Sequence, residues 1–138
     1  MFGPTLPRRR RPRPSMPITD FDAERAYDDE TFAAHKLFRT DDLQVVCGYF
    51  EPGQFIPVHA PSSALVSVRS GAGVVREGQT DHRVEPGDVV TVAADENRGI
   101  KADDDLRLET LLVTAPPPTG TEHEPVREGL RRGEFEPS

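Results

Sequence analysis

The sequence predicts an all-β domain, a small antiparallel β-barrel or jelly roll. From residue 33 the apolar residues come in nine short runs: AAHKLF, LQVVCGYF, QFIPV, ALVSV, GVV, HRV, VVTV, RGIKA and LRLETLLV. Clusters rich in Gly, Pro and Asp stand between them: RTDD, EPG, HAPSS, SGAG, REGQTD, EPGD, ADEN and ADDD. No helical stretch interrupts the series, and short strands punctuated in this way close into a sandwich or barrel.

The elements follow in order. Residues 1–17, MFGPTLPRRRRPRPSMP, alternate proline and arginine with almost nothing apolar, which predicts a disordered basic arm. Residues 1–15 hold five arginines and no acid. The arm offers a contact for nucleic acid or an acidic partner; the alternative is an unselected extension ahead of a start at Met16. No apolar run follows the arginines, so neither a secretory nor a twin-arginine export signal is expected. Residues 18–32 form an acidic lead-in, a loose turn or short helix. Residues 33–115 are the barrel. Within it Ala64, Val66 and Val68 alternate with Leu65, Ser67 and Arg69, and the first set is expected to face inward. Pro116, Pro117 and Pro118 end the last strand. Residues 116–138 are a proline-rich linker and a C-terminal tail. There TEHEPVREGLRR (121–132) has a threonine cap, an acidic first turn and terminal arginines, the marks of a short helix weakened by Pro125 and Gly129.

Composition limits what such a domain does. A chain of 138 residues fits one domain with a normal core. No window approaches the ~20 apolar residues that span a bilayer. Cys47 is the single cysteine, which rules out an internal disulfide or a multi-cysteine zinc site, and a cytoplasmic location is expected. Beyond residue 15, 12 basic side chains face 24 acidic ones, and only Lys36 and Lys101 are lysines. So acidic and lysine-poor a surface resembles that of a salt-adapted protein. It repels phosphates, so nucleic acid is expected to meet only the 1–15 arm.

Two stretches, PGQFIPVHAPSSALVSVRSGAG and PGDVVTVAADENRGIKA, resemble the paired motifs of the cupin superfamily, the RmlC-like barrels. Pro52-Gly53 supplies the turn of the first motif, and five residues later His59 falls on its first histidine slot. Ser70-Gly71-Ala72-Gly73 resembles the hairpin that closes it. Pro86-Gly87-Asp88 and the strand Val89-Val90-Thr91-Val92 match the second motif. The resemblance implies a jelly-roll barrel with a ligand-sized interior, and a homodimer to which the apolar last strand, LETLLV, contributes. In metal-binding relatives three histidines and a glutamate converge on one divalent ion.

Here the pattern is depleted. His59 is kept, Pro61 takes the second histidine slot, Ala64 or Leu65 the glutamate slot, and Arg98 the third histidine slot. No cofactor is therefore expected. A divalent transition metal would need a rebuilt set, for which His59, Cys47 and Glu109 are the candidates; the alternative for Cys47 is a small buried hydrophobe. His59 and Arg98 together favour an anionic small molecule, since guanidinium presents a planar fork that matches carboxylate or phosphate. The alternative for Arg98 is an ion pair with Asp95, Glu96, Glu109 or another nearby acid. Ser62 and Ser63 offer hydrogen bonds at the pocket mouth, and Tyr49 a further ligand contact. The expected function is binding or sensing of an anion without catalysis. The alternative is a cupin enzyme, through a rebuilt metal site as oxygenase or isomerase, or through His59 as a general base with Tyr49 as its partner.

Overall fold

The structure, a computed structural model, describes residues 18–59, 63–117 and 120–136, without the side chains of residues 58–59 and 120–123. The basic arm, Pro61 and Ser62 lie outside the described residues. The nine apolar runs become nine strands: β1 (Ala33–Arg39), β2 (Gln44–Phe50), β3 (Phe55–His59), β4 (Ser63–Gly71), β5 (Gly73–Glu77), β6 (Thr80–Val84), β7 (Val89–Val92), β8 (Arg98–Ala102) and β9 (Leu108–Ala115). They form two antiparallel sheets, a larger one in the order β1-β2-β9-β4-β7 and a smaller one in the order β3-β8-β5-β6.

Local chemistry fixes the corners. Gly53 and Gly87 turn with φ of 79° and 97°, in the left-handed region that only glycine enters without strain. Gly71, in the hairpin between β4 and β5, lies so near the chain leading into β9 that a Cβ there would meet the Arg107 carbonyl oxygen at 1.7 Å. Alternation then sorts the faces. Ala64, Val66 and Val68 are buried, and the last two join Phe50, Val75, Val84, Ile100, Ala102 and Leu108 in the core at one end of the barrel.

Two helices complete the described residues. Asp20 caps α1 (Phe21–Glu24) by accepting from the Ala23 N–H at 2.7 Å. The lead-in then runs as a strap over the outer face of the larger sheet. α2 (Gly120–Arg132) packs against β3, with Gly129 so close to Pro57 that a Cβ would lie 2.6 Å from the Pro57 Cβ. No helix among the described residues is long and apolar enough to cross a membrane.

One expectation needs correction. The sequence offers the last strand, LETLLV, to subunit pairing, but β9 lies at the centre of the larger sheet, between β2 and β4, and presents no open edge. Its apolar character follows from that position, because both of its backbone edges are already paired.

Candidate functional site

A cavity of about 380 Å³ opens between the two sheets and is flanked by α2. Register explains its lining. Arg39, Gln44 and Thr114 stand in one cross-strand row on the larger sheet. Two residues further along each of β2 and β9 come Val46 and Leu112, with Lys36 opposite Val46. A bulge between Lys36 and Phe38 lets both Lys36 and Arg39 reach the cavity. The smaller sheet contributes Ile56, Arg98 and Ile100, and α2 adds Val126, Arg127 and Leu130. Phe32, at the end of the strap, stacks on Phe50 with ring centroids 5.6 Å apart and lines the cavity too.

The charge of this lining is one-sided. Lys36, Arg39, Arg98 and Arg127 all contribute, and no described lining residue carries a carboxylate, in a chain of net charge −7. Arg98 is only 4% exposed, whereas Lys36, Arg39 and Arg127 are exposed at the rim. Arg39 Nη1 donates to Gln44 Oε1 at 2.8 Å. Thr114 is 2% exposed, and its Oγ1 has no hydrogen-bond partner among the described residues. A buried hydroxyl in that state costs about 1–3 kcal/mol until something bonds to it.

The residues singled out in the sequence divide between two places. His59 and Arg98 stand opposite one another in the β3–β8 register. On the other flank of Arg98 is Glu77, whose carboxylate lies 3.1 Å from His82 Nε2. Ser63 is exposed at the start of β4, pairs with Ala115 and does not line the cavity.

Tyr49, Cys47 and Glu109 belong to the opposite face of the larger sheet, beneath the strap, because they alternate with the inward Val46, Gly48 and Phe50 of β2 and Leu108 and Thr110 of β9. Tyr49 is fully buried; its hydroxyl donates to the Phe21 carbonyl at 2.8 Å, and its ring meets those of Phe21, Tyr27 and His35 edge-on. Glu109 accepts from Arg25 Nε at 2.7 Å and from the Tyr27 hydroxyl at 2.8 Å. Arg107 lies over the Tyr27 ring at 4.2 Å and pairs with Glu51.

The titrations fit a closed structural cluster. Burial opposes the charged form of Glu109, but the bonds from Arg25 and Tyr27 outweigh it and hold the carboxyl below its usual range. Burial, together with the bond to Glu109, pushes the Tyr27 phenol up to about 12. Burial likewise pushes the Tyr49 phenol and the Cys47 thiol up, which makes each a poorer anion. Tyr49 therefore does not partner His59 in the cavity, and Glu109 pairs with Arg25 and Tyr27 within this cluster.

The rebuilt metal set also comes apart. Cys47 and Glu109 face the strap, while His59 belongs to the other sheet. The described residues hold no group of three or more His, Cys, Asp or Glu side chains arranged for a metal ion. With four cations and no described carboxylate in its lining, the cavity does not suit a divalent ion.

No protein-family model and no curated protein matches the chain. Solved structures do. A protein of Thermus thermophilus superposes with a TM-score of 0.71 at 27% identity, over 75% of this chain and all of that one. A Klebsiella pneumoniae protein described as having a double-stranded β-helix domain gives 0.66 at 20% identity, over 72% of this chain and 89% of its own. An RmlC-like cupin protein of Desulfovibrio desulfuricans gives 0.60 at 22% identity, over 73% of this chain and 99% of its own.

Proposed function

We propose that this chain, a member of the cupin superfamily, binds or senses a small anionic molecule between its two sheets and does so without catalysis. The observation that carries this reading is the cavity's charge: four cationic side chains, one of them the buried Arg98, and no described carboxylate, within an acidic protein. The apolar walls lower the local dielectric, so an anion there feels the cationic lining more strongly than it would at the surface. Arg98 adds direction, because its donors match a planar anion two at a time.

Acid–base catalysis needs two groups of opposite role near one substrate atom. The displacement of Tyr49 to the strapped face removes the partner that the sequence set beside His59, and this favours binding over turnover.

Titration calorimetry against small organic acids and sugar phosphates tests the reading. The expected result is saturable binding of at least one anion, weakened about tenfold or more by Arg98→Gln. Binding of none of them, or binding indifferent to Arg98→Gln, overturns it.

A further inference from the structure

The cavity is polarised along its length. Arg39, Gln44 and Thr114 form the row at one end of the larger sheet, and Val46 and Leu112 come next along the same strands. On the smaller sheet Arg98 precedes Ile100 in the same direction, because Ala102, beyond Ile100, joins Phe50 and Leu108 in the core at the far end. Two residues of strand span roughly 7 Å. Within that distance the wall changes from a guanidinium, an amide and a hydroxyl to the aliphatic side chains of Val46, Leu112 and Ile100, with Ile56 beside Ile100 and Lys36 reaching that row only from the exposed rim.

Resting on the anion-binding reading, we infer that the guest is an amphipathic monocarboxylate. Its carboxylate lies at Arg98, Thr114 and Gln44, and its alkyl or aryl body lies along Val46, Leu112, Ile56 and Ile100. Three observations select this class. First, the Thr114 hydroxyl is buried, lines the cavity and has no described protein partner, so a carboxylate oxygen would take its proton as a hydrogen bond. Gln44 Oε1 is engaged by Arg39, so what Gln44 gives the guest is its amide N–H. One planar fork, one hydroxyl and one amide suit a carboxylate head.

Second, Val46, Leu112, Ile56 and Ile100 offer no hydrogen-bonding side chain, so a sugar body laid along them would bury its hydroxyls unbonded. A second carboxylate buried against those four side chains would meet the same cost, because Lys36 stands only at the exposed rim. Third, size agrees. At about 30 Å³ per water-sized unit, 380 Å³ holds on the order of a dozen non-hydrogen atoms, enough for a medium-chain acid.

Calorimetry on the full chain with butanoate, hexanoate, octanoate, 1-octanol, octanedioate and glucose 6-phosphate tests the assignment. Affinity is expected to rise about fourfold per added methylene. Octanoate is expected to bind about tenfold or more tighter than 1-octanol or octanedioate, and Arg98→Gln to erase its advantage over the alcohol. Thr114→Val, which keeps shape, and Val46→Phe, which fills the apolar end, give two further variants. The first weakens every carboxylate; the second weakens octanoate more than butanoate.

Affinity that ignores chain length, or octanedioate matching octanoate, overturns the inference. Arg98-dependent binding of glucose 6-phosphate without binding of octanoate overturns it too, and leaves the anion reading standing. If no anion binds in an Arg98-dependent way, both fall.

Discussion

The two faces of the five-stranded sheet bury polar side chains to opposite effect. Under the strap, Tyr49 and Glu109 are almost fully buried, and each has its hydrogen bonds supplied by the chain itself, from Phe21, Arg25 and Tyr27. Facing the cavity, Thr114 is buried as deeply, yet its hydroxyl has no described partner. Glu109 and Thr114 even share a strand, β9, and differ only in the face they take. The difference teaches that burial of a polar group does not by itself mark a binding site. A satisfied network fastens structure, whereas an unsatisfied group on a cavity wall leaves a hydrogen bond open to whatever enters.

This contrast can be broken by experiment, and the largest effect belongs to the strap. Glu109→Ala leaves Arg25 and Tyr27 without their shared acceptor and is expected to destabilise the fold by about 3 kcal/mol in denaturant unfolding, with anion affinity unchanged. If that variant loses affinity but keeps its stability, the roles of the two faces are reversed. Arg98→Gln comes next and is expected to do the opposite. It should cost about 2 kcal/mol of binding free energy while moving the unfolding midpoint little.

Acid separates the faces further. The folded Glu109 carboxyl titrates below its unfolded value, so its contribution is complete above the unfolded pKa of about 4.3 and is lost as the pH falls through the folded one. The stability gap between the wild type and Glu109→Gln should therefore narrow in acid below that point; a gap independent of pH would mean the carboxylate charge is not what fastens the strap. The smallest effect is that of Thr114→Val. Removing the unbonded hydroxyl should stabilise the ligand-free protein by up to about 1 kcal/mol, while weakening its hold on the anion. Loss of stability would show that the hydroxyl is satisfied after all.

Most of the fold was legible in the sequence, because turn chemistry and strand length are local properties. Pro52-Gly53 and Pro86-Gly87 fall at the corners, and the tail helix forms despite Pro125 and Gly129. The site was legible only in part. Arg98 could be found because motif spacing carried it to a ligand slot. The face occupied by Cys47, Tyr49 and Glu109 could not be read, since alternation shows which residues share a face but not which face looks inward. In β2 both faces are buried, one by the core and one by the strap, so QVVCGYF lacks the polar alternation that would have settled it. Lys36 and Arg39 were missed because a bulge puts both on the cavity side, and bulges leave no clear mark in composition. Gln44 and Thr114 looked like ordinary polar strand residues. Arg127 becomes visible only when α2 docks on β3.

The docking of α2 has a consequence for how such a protein diversifies. The strand-borne walls of the cavity are held in ladders, where a change at one position is felt by the paired strands. Val126, Arg127 and Leu130 stand outside those ladders, on a terminal segment that meets the barrel through the close seat of Gly129 on Pro57. A lineage that keeps this seat can rewrite those three positions and reshape that side of the cavity, with the ladders of the barrel untouched.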